Sequence, residues 1–186
     1  MNIINYVNTL TIDELRVRLA EYMEKDPMLH APLVAVEVRL NSDVNANCRY
    51  EVLLVDEEGN ETPVKFHDRY SRLIYIYTLL HPKGYQRRKA AANNYRALCR
   101  LYNLLYFKDS NAVLKTINST DADHPGHFMS HNIAQARKAV RQAAPHAVQF
   151  LIDRPQNHNG KTLIPFVAEG GTVILDATLN NCISNL

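Results

Sequence analysis

The chain has 186 residues, about one domain's worth, and 46% of them are apolar, enough to build a packed core, so a disordered chain is excluded. With 22% charged residues, 6 Gly, 8 Pro and no apolar run near the roughly 18 residues of a membrane span, collagenous, low-complexity and transmembrane classes are excluded too. The net charge of +2 is unevenly spread: residues 1–66 hold 6 Lys/Arg and 12 Asp/Glu, a balance of −6, whereas residues 67–186 hold 15 and 7, a balance of +8. That asymmetry points to an anionic partner for the second part; attraction between the two halves, or a solvated charged surface, fits it as well. The start, MNIINYVNTLTIDELRVRLAEY, lacks a basic region followed by an apolar one and a small-residue cleavage site, so no secretory signal is read and a cytoplasmic location is expected. Cys48, Cys99 and Cys182 are far apart, which suits reduced thiols better than a disulfide framework or a C-x-x-C metal site.

In chain order, Thr11-Ile12-Asp13-Glu14 fits a capping box, and Ile12, Leu15, Leu19, Tyr22 and Met23 recur at helical spacing, predicting a helix over 12–25 that ends before Asp26-Pro27. Val34, Val36, Val38 and Leu40 alternate with Ala35, Glu37 and Arg39. Tyr50, Val52 and Leu54 alternate likewise, and Asp56-Glu57-Glu58-Gly59-Asn60 leads into Glu61–Phe66; three antiparallel strands are expected over 33–66. Period 3.6 returns with Tyr70, Leu73, Ile74, Tyr77 and Leu80, predicting a helix over 67–80, closed by His81-Pro82-Lys83-Gly84. A second helix is expected over 85–107, a short one over 111–117, a loop over 119–126 and a third long helix over 129–143. Ala147–Ile152 and Thr162–Ala168 read as a hairpin around Asn159-Gly160, Thr172–Asp176 as a last short strand, and the residues from Asn180 as a polar tail. The expected domain plan is an N-terminal helical segment over 1–32, antiparallel strands over 33–66, a helical core over 67–178 that forms one compact domain with those strands, and a tail over 179–186.

The segment Ile133-Ala134-Gln135-Ala136-Arg137-Lys138-Ala139-Val140, followed by Val148-Gln149-Phe150-Leu151-Ile152, resembles the third helix and following strand of the winged-helix effector domain of OmpR/PhoB-type response regulators. The resemblance covers about residues 50–176. It implies an α+β fold: an N-terminal helix and small antiparallel sheet, a three-helix winged helix-turn-helix core and a C-terminal β-hairpin wing. It also implies a DNA-binding transcriptional regulator whose third helix enters the major groove. Residues 1–49 are too few for a phosphoacceptor receiver domain, Ala136 stands where the family has Leu, residues 101–128 exceed the family's connection, and the expected Gly-Tyr of the wing is missing.

Setting Ile133 at zero and advancing 100° per residue gathers Met129, Ala136, Val140 and Ala144 on an apolar stripe and puts His131, Gln135, Lys138 and Gln142 opposite, with Arg141 on the flank. Such a helix divides as a recognition helix must: Lys138 and Arg141 suit phosphate or guanine, Gln135 and Gln142 suit adenine. Any solvated helix face shows similar residues. Arg154, His158 and Lys161 gather at the hairpin tip, and Arg87-Arg88-Lys89 sits at a helix start, where free N–H groups also attract an anion. The acids of the first 66 residues are an alternative, intramolecular neighbour for that run. Double-stranded DNA is the expected partner, and a protein-interaction module or homodimer built on the same scaffold is the alternative.

His124, His127 and His131 with Asp121 and Asp123 have donor chemistry for a transition metal, but the set crosses a Pro-Gly turn and lacks the H-E-x-x-H spacing, so a helix-entry loop capped by Asp123 is the preferred reading and no metal or cofactor is expected. Cys99 beside Arg96 and Arg100 sits in a Leu/Tyr-rich helix and reads as core. With no G-x-S-x-G, P-loop or G-x-G-x-x-G present, a non-enzymatic role is expected. Tyr70, Tyr75, Tyr77, Tyr95, Tyr102 and Tyr106 have helical spacing that favours packing over base stacking, with Tyr75 and Tyr106 the two positions where exposure would count.

Overall fold

The computed structural model describes residues 11–14, 16–17, 32–43, 45–82, 84–86, 90–107, 111–122, 126–153, 156–158, 161–164 and 171–183, with the backbone alone at 86, 90–94, 156–158, 161–164 and 182–183. The chain divides into two compact units, Met1–Pro32 and Leu33–Leu186. In the first, residues 12–14 and 16–17 are helical. The capping box forms there: the Thr11 N–H donates to Glu14 Oε2 at 2.8 Å and the Glu14 N–H to Thr11 Oγ1 at 3.3 Å. The remainder of the helix expected over 12–25 lies outside the described residues.

The second unit is α+β. Strands β1 (Leu33–Leu40), β2 (Tyr50–Asp56) and β3 (Glu61–Pro63) pair antiparallel. The turn between β2 and β3 is tied by Asp56, whose Oδ1 accepts from the N–H groups of Glu58 and Asn60, and Gly59 supplies the φ of +83° that the turn needs. A register shift between Leu33 and Ala35 brings Leu33 into the core with the fully buried Val36 and Val38, while Leu40, at the end of the strand, is half exposed. Arg39 crosses the outer face, donating from Nε to Glu51 at 3.0 Å and through Nη1 and Nη2 to both oxygens of Glu61 at 2.7 Å. One guanidinium thus joins all three strands and holds the Glu61 carboxyl below its usual range.

The sheet is mixed rather than purely antiparallel. A fourth strand, β7 (Thr172–Leu175), returns from the far end of the chain and lies parallel to β1, giving the order β3-β2-β1-β7. After β7 the chain does not run on as a tail at once: Ala177–Ile183 is a helix, started by the Asp176 carboxylate accepting from the Thr178 N–H and seated by fully buried Leu179.

Among the described residues four α-helices lie between β3 and the hairpin, where the resemblance implies a core of three. Helix α1 (Arg69–Leu79) begins at Asp68, whose carboxylate accepts from the Tyr70 and Ser71 N–H groups, and from Leu73 to Leu79 every side chain is buried. Burial of each large apolar residue contributes up to about 1.5–3 kcal/mol against about 1 kcal/mol for a cap, so packing rather than the cap fixes α1 as the central helix. Two of its buried hydroxyls are paired, Tyr75 Oη donating to the Phe150 carbonyl at 2.9 Å and Thr78 Oγ1 to the Ile74 carbonyl at 2.7 Å, whereas the buried Tyr77 hydroxyl has no hydrogen-bond partner among the described residues.

The segment expected to be helical from 85 splits. Tyr85–Gln86 is strand β4, and helix α2 spans Ala90–Tyr106. The short candidate becomes α3 (Asn111–Asp121), longer than its apolar pattern, and α4 spans His127–Ala143. Helix α1 packs on α4 and α2, α2 on α3, and α3 on α4.

The expected hairpin of 147–152 with 162–168 is not what forms, and among the described residues no C-terminal hairpin wing is seen. Val148–Phe150 is a 3-10 turn, because Phe150 turns inward to full burial while the Tyr75 hydroxyl takes its carbonyl, leaving no ladder. The hairpin instead joins β5 (Gln156–His158) to β6 (Lys161–Ile164), and β4 completes a small sheet of order β4-β6-β5. Residues 165–168 lie outside the described residues. Among the described residues, no helix is long and apolar enough to cross a membrane.

Candidate nucleic-acid interface

From Arg69 to Ile152 the sequence holds 13 Lys/Arg and three acids, Asp109, Asp121 and Asp123, and no acid occurs from His124 to Ile152. Helix α4 is the described part of that acid-free run that reaches solvent on one side and the core on the other. Its inner side is set by Phe128, Met129, Ile133, Ala136 and Val140, all buried, with Ala139 beside them. The stripe read from 100° spacing is therefore the packed one. Its outer side presents His127, His131, Ala134, Lys138, Arg141 and Gln142, while Gln135 and Arg137 are half-buried on the flanks.

Two features fix where this helix begins and ends. The chain enters it through Gly126 at φ +85°, a left-handed conformation costly for any residue with a Cβ. The orphan N–H of Phe128 is taken by Asp121 Oδ1 at 2.8 Å, from the last residue of α3, whose Oδ2 also accepts from Tyr95 Oη at 3.3 Å. At the other end Ala144 is extended, at φ −149° and ψ 105°, because Pro145 disfavours helix in the residue before it. Asp121 therefore ties α2, α3 and α4 together, and its charge is turned to the Phe128 N–H and the Tyr95 hydroxyl. A seven-residue reach from Asp121 to Phe128 matches no capping spacing, so the sequence pattern could not single it out. The expected capping by Asp123 lies outside the described residues.

A shallow concavity of about 580 Å³ runs along α4, lined by Ile133, Ala134, Arg137, Lys138, Arg141 and Gln142 together with Ser130. Ala134 sits between the basic side chains, a position the spacing 127, 131, 134, 138, 141 marks in the sequence but which was not among the expected contacts. No carboxylate lines this concavity among the described residues.

Of the other expected site residues, Arg87, Arg88, Lys89 and Arg154 lie outside the described residues. His158 closes β5 and Lys161 opens β6, paired with each other across the hairpin. Glu51 and Glu61, two of the acids considered as neighbours for the Arg87 run, are occupied by Arg39. The rings of His127 and His131 stack at 6.1 Å between centroids, and among the described residues no group of three His, Cys, Asp or Glu is placed to hold a metal; His124 and Asp123 are not among them. Cys48 and Cys99 are buried, at 3% and 7% exposure, and are not joined in a disulfide. Tyr75, Tyr77 and Tyr102 are fully buried and offer no stacking face, while Tyr106, half-buried, donates its hydroxyl to the Arg69 carbonyl at 3.0 Å and packs its ring tilted against Tyr102 at 5.0 Å. Tyr70 stacks on Tyr102 at 6.0 Å and meets Phe128 edge-on at 5.5 Å. Burial raises the phenols of Tyr75, Tyr77 and Tyr85 well above the ordinary tyrosine range.

Set against protein-family models, curated proteins and solved structures, the chain matches none.

Proposed function

We propose that the chain binds double-stranded DNA through the outer face of α4, as a non-enzymatic regulator of winged-helix type. The observation that carries this reading is an exposed, acid-free helix face bearing Lys138, Arg141, Gln142 and His131, backed by a fully packed inner face. An α-helix is about 10–12 Å across with its side chains and the major groove of B-DNA is about 12 Å wide, so such a helix enters it. Lys138 and Arg141 then reach guanine edges or phosphates, Gln135 and Gln142 reach adenine, and the small Ala134 lets the helix backbone approach closely. The hairpin β5–β6 follows α4 in the chain, and Arg154, His158 and Lys161 belong to this proposal as its second contact. Arg87, Arg88 and Lys89 join it as phosphate contacts. Binding to a random-sequence duplex pool, followed by fluorescence anisotropy across a salt series, tests it. About three to eight phosphate contacts give a log–log slope of about −3 to −7. Absence of binding at low salt contradicts the reading.

A protein-interaction module is the second reading, and Phe107 favours it. This residue is 72% exposed, holds a left-handed φ of 50° and carries the Arg49 guanidinium over its ring at 4.1 Å.

A further inference from the structure

The concavity on α4 adjoins a second one of about 420 Å³, lined by Thr62, Pro63, Lys65, Ala139, Gln142 and Ala143, and Gln142 belongs to both. The second lies between the end of β3 and the C-terminal half of α4, where the helix contributes Ala139, Gln142 and Ala143 and the cation is Lys65, and neither lining holds a carboxylate among the described residues. Lys65 is exposed there and has no ion pair among the described residues. The acids closest to it in the chain are engaged elsewhere: Glu61 is held by both Nη groups of Arg39 at 2.7 Å, and Asp68 caps α1 through two N–H donors at 2.8 Å. An unpaired ammonium beside a helix face of the same sign is electrostatically unfavourable in the isolated protein and becomes favourable when an anion spans the two.

We propose that Lys65 holds a backbone phosphate of the duplex seated on α4, extending the footprint from the helix onto the sheet. The proposal rests on the DNA reading of α4. A phosphate contact fixes register without reading bases, so Lys65 contributes affinity and salt dependence but no sequence preference.

The test compares the parent chain, Lys65→Gln, Lys65→Arg and Lys138→Gln on a random-sequence duplex pool over a salt series. Lys65→Gln is expected to flatten the log–log slope by about 0.9, so that the parent's advantage over it shrinks about threefold between ~50 and ~200 mM salt, with the selected sequences unchanged. Lys65→Arg is expected to keep the parent slope. These exposed substitutions are expected to leave the thermal unfolding midpoint where it is, which separates a lost contact from a lost fold. An unchanged slope in Lys65→Gln, with a flattened one in Lys138→Gln, overturns the extension and leaves the α4 reading standing. A parent chain that binds no duplex at low salt overturns both.

Discussion

Gly171 immediately precedes the strand that closes the main sheet, and its lack of a side chain is what lets the Phe150 ring pack there. A Cβ at this position would lie 2.6 Å from Phe150 Cζ and 2.7 Å from Cε1. The ring is fully buried, and its own carbonyl is held by Tyr75, so it has little room to withdraw. Gly171→Ala is therefore expected to destabilise the fold by about 1–3 kcal/mol, read as a lower denaturant midpoint with an unchanged slope. An unchanged midpoint would show that the ring moves aside freely. The same small set of residues explains why Ala147–Ile152 misled a reading by period: an apolar run of that length suits a strand or a buried turn equally, and only the partner 75 residues earlier decides between them.

At the scale of elements, α4 was legible because one turn of the pattern repeats what the next one says. Met129, Ile133, Ala136, Val140 and Ala144 were placed on one face by spacing alone and are all buried. β1–β3 and α1 were equally readable from alternation and period, and Asp68 and Pro145 mark boundaries that local chemistry dictates. What spacing did not contain is pairing at long range. Two-residue β4 has too few positions to show a period, and β7 joins β1 across more than a hundred residues, so the mixed sheet and the small second sheet could not be drawn from the sequence. The Asp121 tie belongs to the same class. Asp121→Ala is expected to leave the Phe128 N–H without its acceptor and free the start of α4, costing about 1–2 kcal/mol in a thermal or chemical melt. It is also expected to raise amide exchange in the first turn of α4 before other helices; uniform exchange across all helices would contradict the local role.

Taken whole, five of the described acids serve partners inside the fold, while Lys138 and Arg141 stand exposed on the outer face of α4. Glu51 and Glu61 serve Arg39, Asp56 serves its turn, Asp68 and Asp121 serve helix starts. The pH dependence of stability follows from the same bookkeeping. Asp56 and Glu61 have lowered carboxyl pKa values in the fold, so the stability they contribute is present above about pH 4 and is lost as pH falls through their folded values. Tyr75, Tyr77 and Tyr85 have raised ones, so theirs is complete below about pH 10, where an unfolded tyrosine titrates, and is lost as pH rises beyond it. In an alkaline titration the tyrosinate absorbance of these rings is expected to emerge together with loss of the helical circular dichroism signal. Ionisation of all ten tyrosines near pH 10 with the helical signal intact would contradict their burial.

Charge reversal on the outer face of α4 tests the proposed meeting of this helix with DNA most directly. The measurement is duplex binding by anisotropy at low salt, for the parent chain, for Lys138→Glu with Arg141→Glu, and for Lys115→Glu on exposed α3 as a control of equal sign. The predicted result is saturable binding by the parent and the control, with loss of binding in the α4 pair at an unchanged melting temperature. Equal binding by all three would show that the contact lies elsewhere, and the assignment of α4 would fall.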